Sequence, residues 1–322
     1  MYCPRLDHFV RLNPSGKLSR CGHMTNNPEF DSIDSMDNSE WLAQIKQQFS
    51  QDQWPQECIR CQQTEQLNQT SIRLNSIAFH KNQSQLDYLT VGGVLDNVCN
   101  SACQTCNETL STKIGSLHQR DYIKINNADQ FWNLPLNRVV HLDVNGGEPS
   151  ASKNYRHLLA NLPDTVCSIR INTNCSTVIT ELDQLLEKGV NVTITASLDG
   201  IGRIHDYVRW PIKFNEFEQN LLKYQSMGVD LNTWTTVSAL NIGDLKNIFQ
   251  YAEHHKLKHS WALLERPNVL SVKYSNHLTR TADVPNLLKS IVATEQDNTV
   301  ELQMFTAQQD KLRNIRLWDY FK

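Results

Sequence analysis

Seven of the chain's nine cysteines fall into two groups, and this grouping restricts the fold more than any other feature of the sequence. Cys3, Cys21, Cys58 and Cys61 form the first group and Cys99, Cys103 and Cys106 the second, with Cys167 and Cys175 apart. Grouped thiols have to be brought together by the fold, as disulfides, metal ligands or catalytic groups. The first ten residues, MYCPRLDHFV, put Arg5, Asp7 and His8 where a signal peptide needs its apolar segment. No stretch approaches the roughly 20 apolar residues of a membrane span. A cytoplasmic protein with no membrane segment is expected. In a reducing compartment, grouped thiols point to metal ligation or catalysis rather than disulfides.

A chain of 322 residues has room for one large core, or one core plus a small module. With 39% hydrophobic and 20% charged residues it reads as globular. A net charge of −3 lacks the broad basic footprint of a nucleic-acid binder, so no nucleic-acid partner is expected.

Three regions are expected: 1–82, 83–270 and 271–322. In the first, Trp41, Leu42, Ile45 and Phe49 fit one helical face, with Ser39 as N-cap and Trp54-Pro55 as the stop. So little apolar material suits a small module held by a metal staple. From about residue 88, short β-like runs alternate with helical patterns. The strand candidates are Tyr88–Val94, Val139–Val144, Ser168–Asn172, Val192–Ser197, Leu231–Val237 and Ser260–Leu264. The helix candidates are Tyr155–Leu162, Val178–Lys188, Glu216–Met227 and Asp244–His255, with Gly189 and Gly228 as C-terminal stops. This rhythm predicts an α/β fold with a parallel sheet, open or curled towards a barrel, whose chemistry gathers at the C-terminal strand ends. The last region reads as a helical extension, including Val284–Val292 and Gln308–Tyr320.

Cys99-Asn-Ser-Ala-Cys103-Gln-Thr-Cys106 is a C-x3-C-x2-C loop just after the first of these strands. At this cysteine frequency the spacing arises by chance in about 0.7% of such chains, so the loop reads as a ligand set. Three thiolates can hold three corners of a cubane iron–sulfur cluster and leave one iron open; a zinc ion with a fourth ligand from elsewhere is the alternative. In that position the loop resembles the signature of the radical S-adenosylmethionine (SAM) superfamily. The resemblance implies a partial (β/α)6 TIM-like barrel and a [4Fe–4S] cluster whose open iron is chelated by the amino and carboxylate groups of SAM. It further implies reductive cleavage to a 5′-deoxyadenosyl radical that abstracts hydrogen from substrate, and an external one-electron donor such as flavodoxin or ferredoxin. Thr105 departs from the family's usual aromatic residue before the third cysteine.

Further matches follow in order. Gly146-Gly147-Glu148-Pro149 is similar to the family's Gly-Gly-Glu-Pro, which meets the amino group of SAM; alone it would also suit an ordinary strand-to-helix turn. Thr173-Asn174-Cys175 resembles a Thr-Asn-Gly, with Cys175 in place of glycine. Ser197-Leu-Asp199-Gly200 resembles a Ser-x-Asp-Gly whose polar groups reach the ribose, although either segment also suits a helix cap. Arg209 matches an arginine that contacts the SAM carboxylate; a surface arginine is the alternative. Val237, at the end of the fifth strand, occupies the place of a backbone contact to adenine.

Cys3-x12-Gly16-x4-Cys21, followed by Cys58-x2-Cys61, looks like the auxiliary-cluster framework of twitch and SPASM modules, placed before the barrel rather than after it. Cys61-x3-Glu65 and Ser71-x-Arg73 also resemble twitch-type relatives. Four thiolates fully ligate a second [4Fe–4S] cluster, or equally a structural zinc. A fully ligated cluster suits electron transfer, and with it oxidation or crosslinking of a peptide or small-molecule substrate. A redox-neutral epimerase using Cys175 as hydrogen donor is one alternative, and a zinc-stapled binding protein without catalysis is another. Cys167 is expected to be structural, and His254, His255 and His259 to lie on a solvated helix end.

Overall fold

The computed structural model describes residues 1–83, 87–119, 121–273 and 299–320. It is an α/β protein with strands β1 Phe9–Leu12, β2 Leu18–Ser19, β3 Leu89–Val94, β4 Val139–Asn145, β5 Ser168–Thr173, β6 Asn191–Ser197, β7 Asp230–Val237 and β8 Lys258–Leu263. All six strand candidates are present within two residues of their expected starts. Every pairing described is parallel except β1 with β2.

The chain divides into two compact units. The first comprises Met1–Asp96, Ile125–Gly146 and Ala160–Ile169. Here β1 pairs with β2 on one side and, in parallel, with β3 on the other; β3 pairs with β4, and β4 with the start of β5. The strands β1 and β2 were not anticipated. At four and two residues they are too short for alternation to register. What stabilises them is the buried Arg20, whose guanidinium donates to the Phe9 carbonyl at 3.0 Å and pairs with Asp37. Beside these strands, Leu6, Met24, Leu42, Ile45 and Phe49 form a small core with Cys3 and Cys21. The helix Glu40–Ser50 supplies three of these apolar residues, and the Ser39 hydroxyl caps it by accepting from Leu42 N.

The second unit comprises Asn97–Lys124, Gly147–Leu159 and Arg170–Lys322. Within it β6, β7 and β8 pair in parallel and alternate with the helices Arg203–Val208, Phe214–Ser226 and Leu245–His254. Gly228 ends the helix Phe214–Ser226 at φ +81, a left-handed conformation that glycine adopts without strain. The expected helix Val178–Lys188 is shorter, Leu182–Glu187, because Ile179 N donates instead to the Tyr224 hydroxyl at 3.0 Å. The expected helix Gln308–Tyr320 is the end of Thr299–Arg313 followed by a 3₁₀ turn, Leu317–Asp319. Asn314, at φ +53, breaks the run. Val284–Val292 lies outside the described residues. No described helix is long and apolar enough to cross a membrane.

Candidate functional site

In the second unit the three-cysteine loop is held from several sides. Gly147 packs so closely that a Cβ would lie 2.3 Å from the Val98 carbonyl, and Glu148 N donates to that carbonyl at 2.8 Å. No larger residue fits there. The preceding Gly146 is the last residue of the Ile125–Gly146 segment of the first unit, where a Cβ would approach the Asp96 carbonyl at 2.9 Å. Pro149 is buried.

Glu148 is 1% exposed, and its carboxylate accepts from Ser150 N at 3.1 Å, Ser150 Oγ at 2.7 Å, Thr173 Oγ1 at 2.7 Å and Asn174 N at 2.7 Å. The Asn174 amide donates to Asn100 Oδ1 at 2.9 Å and Ser101 Oγ at 3.3 Å. Ser101 Oγ in turn lies 3.3 Å from Cys99 Sγ and 3.5 Å from Cys103 Sγ. One polar chain therefore links Glu148, the end of β5 and two of the three thiols. Ser101 was not singled out in the sequence, although it lies inside the cysteine motif.

Arg209 follows the helix Arg203–Val208 and donates to Asp199 at 3.1 Å. Burial works against its charge, but Cys103, Asp199, Cys99 and Cys106 hold it ionised and its pKa is raised. Asp199 itself is pushed up by burial, and Arg209 and the Thr236 N–H oppose that shift. Arg209 Nε and both amide atoms of Gln104 are buried without a hydrogen-bond partner among the described residues. Such unpaired donors and acceptors beside the thiols suit a polar ligand there. Burial, with Cys103 and Cys99 adding to it, pushes the Cys106 thiol up to about 12, and burial raises Cys99. Metal binding would release the protons of these thiols.

Ser197, half-buried, ends β6, and Thr105 is also half-buried. Val237 is fully buried and its carbonyl accepts from Leu264 N at 2.8 Å. Asn241 was missed by the sequence reading; its amide donates to the carbonyls of Asp199 and Thr236 at 3.0 Å each and so ties two strand ends together. Cys175 is fully buried at φ +54, and burial, reinforced by Glu148, raises its thiol pKa well above the usual range. Cys167 is exposed just before β5. His259 lies not on a helix end but in β8, its Nδ1 2.9 Å from Thr233 Oγ1.

In the first unit Cys3, Cys21, Cys58 and Cys61 line one cavity together with Arg5 and Arg73. Arg5 Nε donates to Cys21 Sγ at 3.3 Å. Arg73 donates to Glu65 Oε1 at 2.9 Å and to the Tyr2 carbonyl at 2.8 Å, and Ser71 Oγ donates to the same Glu65 oxygen at 2.5 Å. Burial pushes the Cys3 thiol up to about 12 and raises Cys58 and Cys61. Among the described residues no three His, Cys, Asp or Glu side chains form a group that could hold a metal ion. A single zinc would draw its thiolates to about 2.3 Å of one point. Three thiols in one loop and four in one cavity are the donor kind and number of iron–sulfur sites, and four thiolates suit a structural zinc equally.

No protein-family model matches the chain, and no curated protein matches it. Solved structures are similar in chain path. Streptococcus suis SuiB bound to S-adenosylmethionine is 14% identical, over 95% of this chain and 70% of that one, with a TM-score of 0.44. SuiB bound to precursor peptide SuiA is 13% identical, over 97% and 70%, with a TM-score of 0.43. Native anSMEcpe with bound AdoMet is 16% identical, over 54% of this chain and 52% of that one, with a TM-score of 0.41. The present chain thus spans about half the length of anSMEcpe.

Proposed function

We propose that the chain is a radical SAM enzyme with two [4Fe–4S] clusters, acting on a peptide or small molecule. The supporting observation is the polar chain from Glu148 through Asn174 and Ser101 to the thiols of Cys99 and Cys103. Cys99, Cys103 and Cys106 would hold the SAM-binding cluster and leave one iron without a protein ligand. When bound, the reduced cluster would supply one electron to the sulfonium of SAM, whose S–C5′ bond would break to give methionine and a 5′-deoxyadenosyl radical. Glu148 presents a fixed carboxylate for the SAM ammonium, and Arg209, with Nε free, presents a donor for its carboxylate. Ser197, Asp199 and the backbone of Val237 would meet the ribose and adenine.

Cys3, Cys21, Cys58 and Cys61 would close all four positions of the second cluster, which suits electron acceptance over substrate chelation. Loss of hydrogen and then of one electron amounts to a two-electron oxidation, as in a dehydrogenation or crosslink. The peptide class is favoured by analogy with SuiB, which was solved with its precursor peptide. An anaerobic assay with dithionite and SAM tests the reading. The wild type is expected to form 5′-deoxyadenosine and Cys103→Ala to fall to background. Equal formation by both proteins would contradict it.

A further inference from the structure

The helix Thr299–Arg313 carries no recognised motif, yet its last residue reaches the three-cysteine loop. Arg313 is 5% exposed. Its Nε donates to the Ala102 carbonyl at 2.9 Å and its Nη2 to the Cys103 carbonyl at 3.5 Å. Its Nη1 donates to the Gln309 carbonyl at 3.1 Å and to Gln309 Oε1 at 2.6 Å. The helix end is itself anchored: Asp310 accepts from the Tyr207 hydroxyl at 2.8 Å and from Leu317 N at 2.6 Å.

A guanidinium is costly to bury, and burial pulls the Arg313 pKa down, while charge at Cys103, Tyr207, Asp310 and Cys106 works against that. Hydrogen bonds to main-chain carbonyls would be available to a neutral donor as well. What arginine adds is a fork that spans two successive carbonyls and a permanent charge beside the thiolates.

We infer that Arg313 is a positioning residue for the three-cysteine loop and that its charge raises the reduction potential of the cluster held there. The inference rests on the functional reading above. Reduction adds one electron, and so one negative charge, to the cluster. A nearby buried cation stabilises that state more than the oxidised one, and charges and hydrogen bonds around a cluster are established levers on its potential. Asp310, one turn earlier on the helix, acts in the opposite sense.

The test is an EPR-monitored potentiometric titration of anaerobically reconstituted wild type, R313Q, R313K and D310N. The relevant cluster is identified as the signal that SAM perturbs. R313Q is expected to shift its midpoint to more negative potential, R313K to restore most of it, and D310N to shift it the other way. A role confined to packing would not produce opposite shifts. Equal midpoints in wild type, R313Q and D310N overturn the inference and leave the functional reading standing. Should R313Q fail to fold, an unchanged midpoint in D310N overturns the inference by itself. A wild type without a SAM-responsive signal brings down both.

Discussion

The two cysteine groups are assembled by different means. Cys99, Cys103 and Cys106 lie in one loop of eight residues, so local backbone brings them near one another, and the surrounding polar frame comes from Glu148, Asn174 and Asp199 after strand ends and from Arg209 at the end of a helix. Cys3, Cys21, Cys58 and Cys61 are spread over 59 residues and converge only because a small core of Leu6, Met24, Leu42, Ile45 and Phe49 folds them together. Their polar support is also different: Arg5 donates directly to Cys21 Sγ, and the Glu65–Arg73 pair braces the helix that carries Cys61. The comparison teaches that the first group is set by spacing and the second by tertiary packing. Damage to packing should therefore be felt unequally.

The largest expected effect separates the groups outright. Cys103→Ala should abolish formation of 5′-deoxyadenosine and leave about four irons per chain. Cys58→Ala should likewise lose about four irons but retain cofactor cleavage while losing substrate oxidation. If both variants lose cleavage alike, the division of labour is wrong. Next comes Glu148→Gln. It places an amide where the carboxylate now accepts from Thr173 Oγ1 and Asn174 N, and weakens a charge-assisted contact to the SAM ammonium. About 1.5–3 kcal/mol, or roughly 10- to 150-fold in the SAM concentration for half-maximal cleavage, is expected. A saturation curve measures it, with both clusters retained.

Glu65→Gln probes the packing-dependent group. The pair is largely buried, at 16% and 10% side-chain exposure, so removing one charge should lower stability by about 3 kcal/mol. Thermal denaturation combined with EPR should show the cluster that ignores SAM lost first. Equal loss of both signals would mean that the groups share their support. The smallest effect is expected for Cys175→Ala. An oxidase should keep product formation within about threefold, allowing less than 1 kcal/mol in the barrier. Loss of product with undiminished 5′-deoxyadenosine would instead favour the thiol as hydrogen donor to a product radical.

These differences also account for what could be read from the chain beforehand. The six strands from β3 to β8 were legible because each is at least six residues long and lies next to a periodic helix or turn signal. The short β1 and β2 were not, since their stability comes from Arg20 and from pairing with distant residues. The cysteine loop and Glu148 were visible as ordered motifs. Ser101 and Asn241 act through hydrogen bonds that a spacing rule does not encode. Arg313 meets the loop across 211 positions of sequence, a contact that only the folded chain creates.

The most direct test of the central claim is EPR of the anaerobically reconstituted, dithionite-reduced protein with and without SAM, alongside metal analysis. The account predicts about eight irons per chain and two cluster signals. SAM should change one, the signal lost in Cys103→Ala, and leave unaltered the one lost in Cys58→Ala. Zinc in place of iron, or two signals indifferent to SAM, would contradict it.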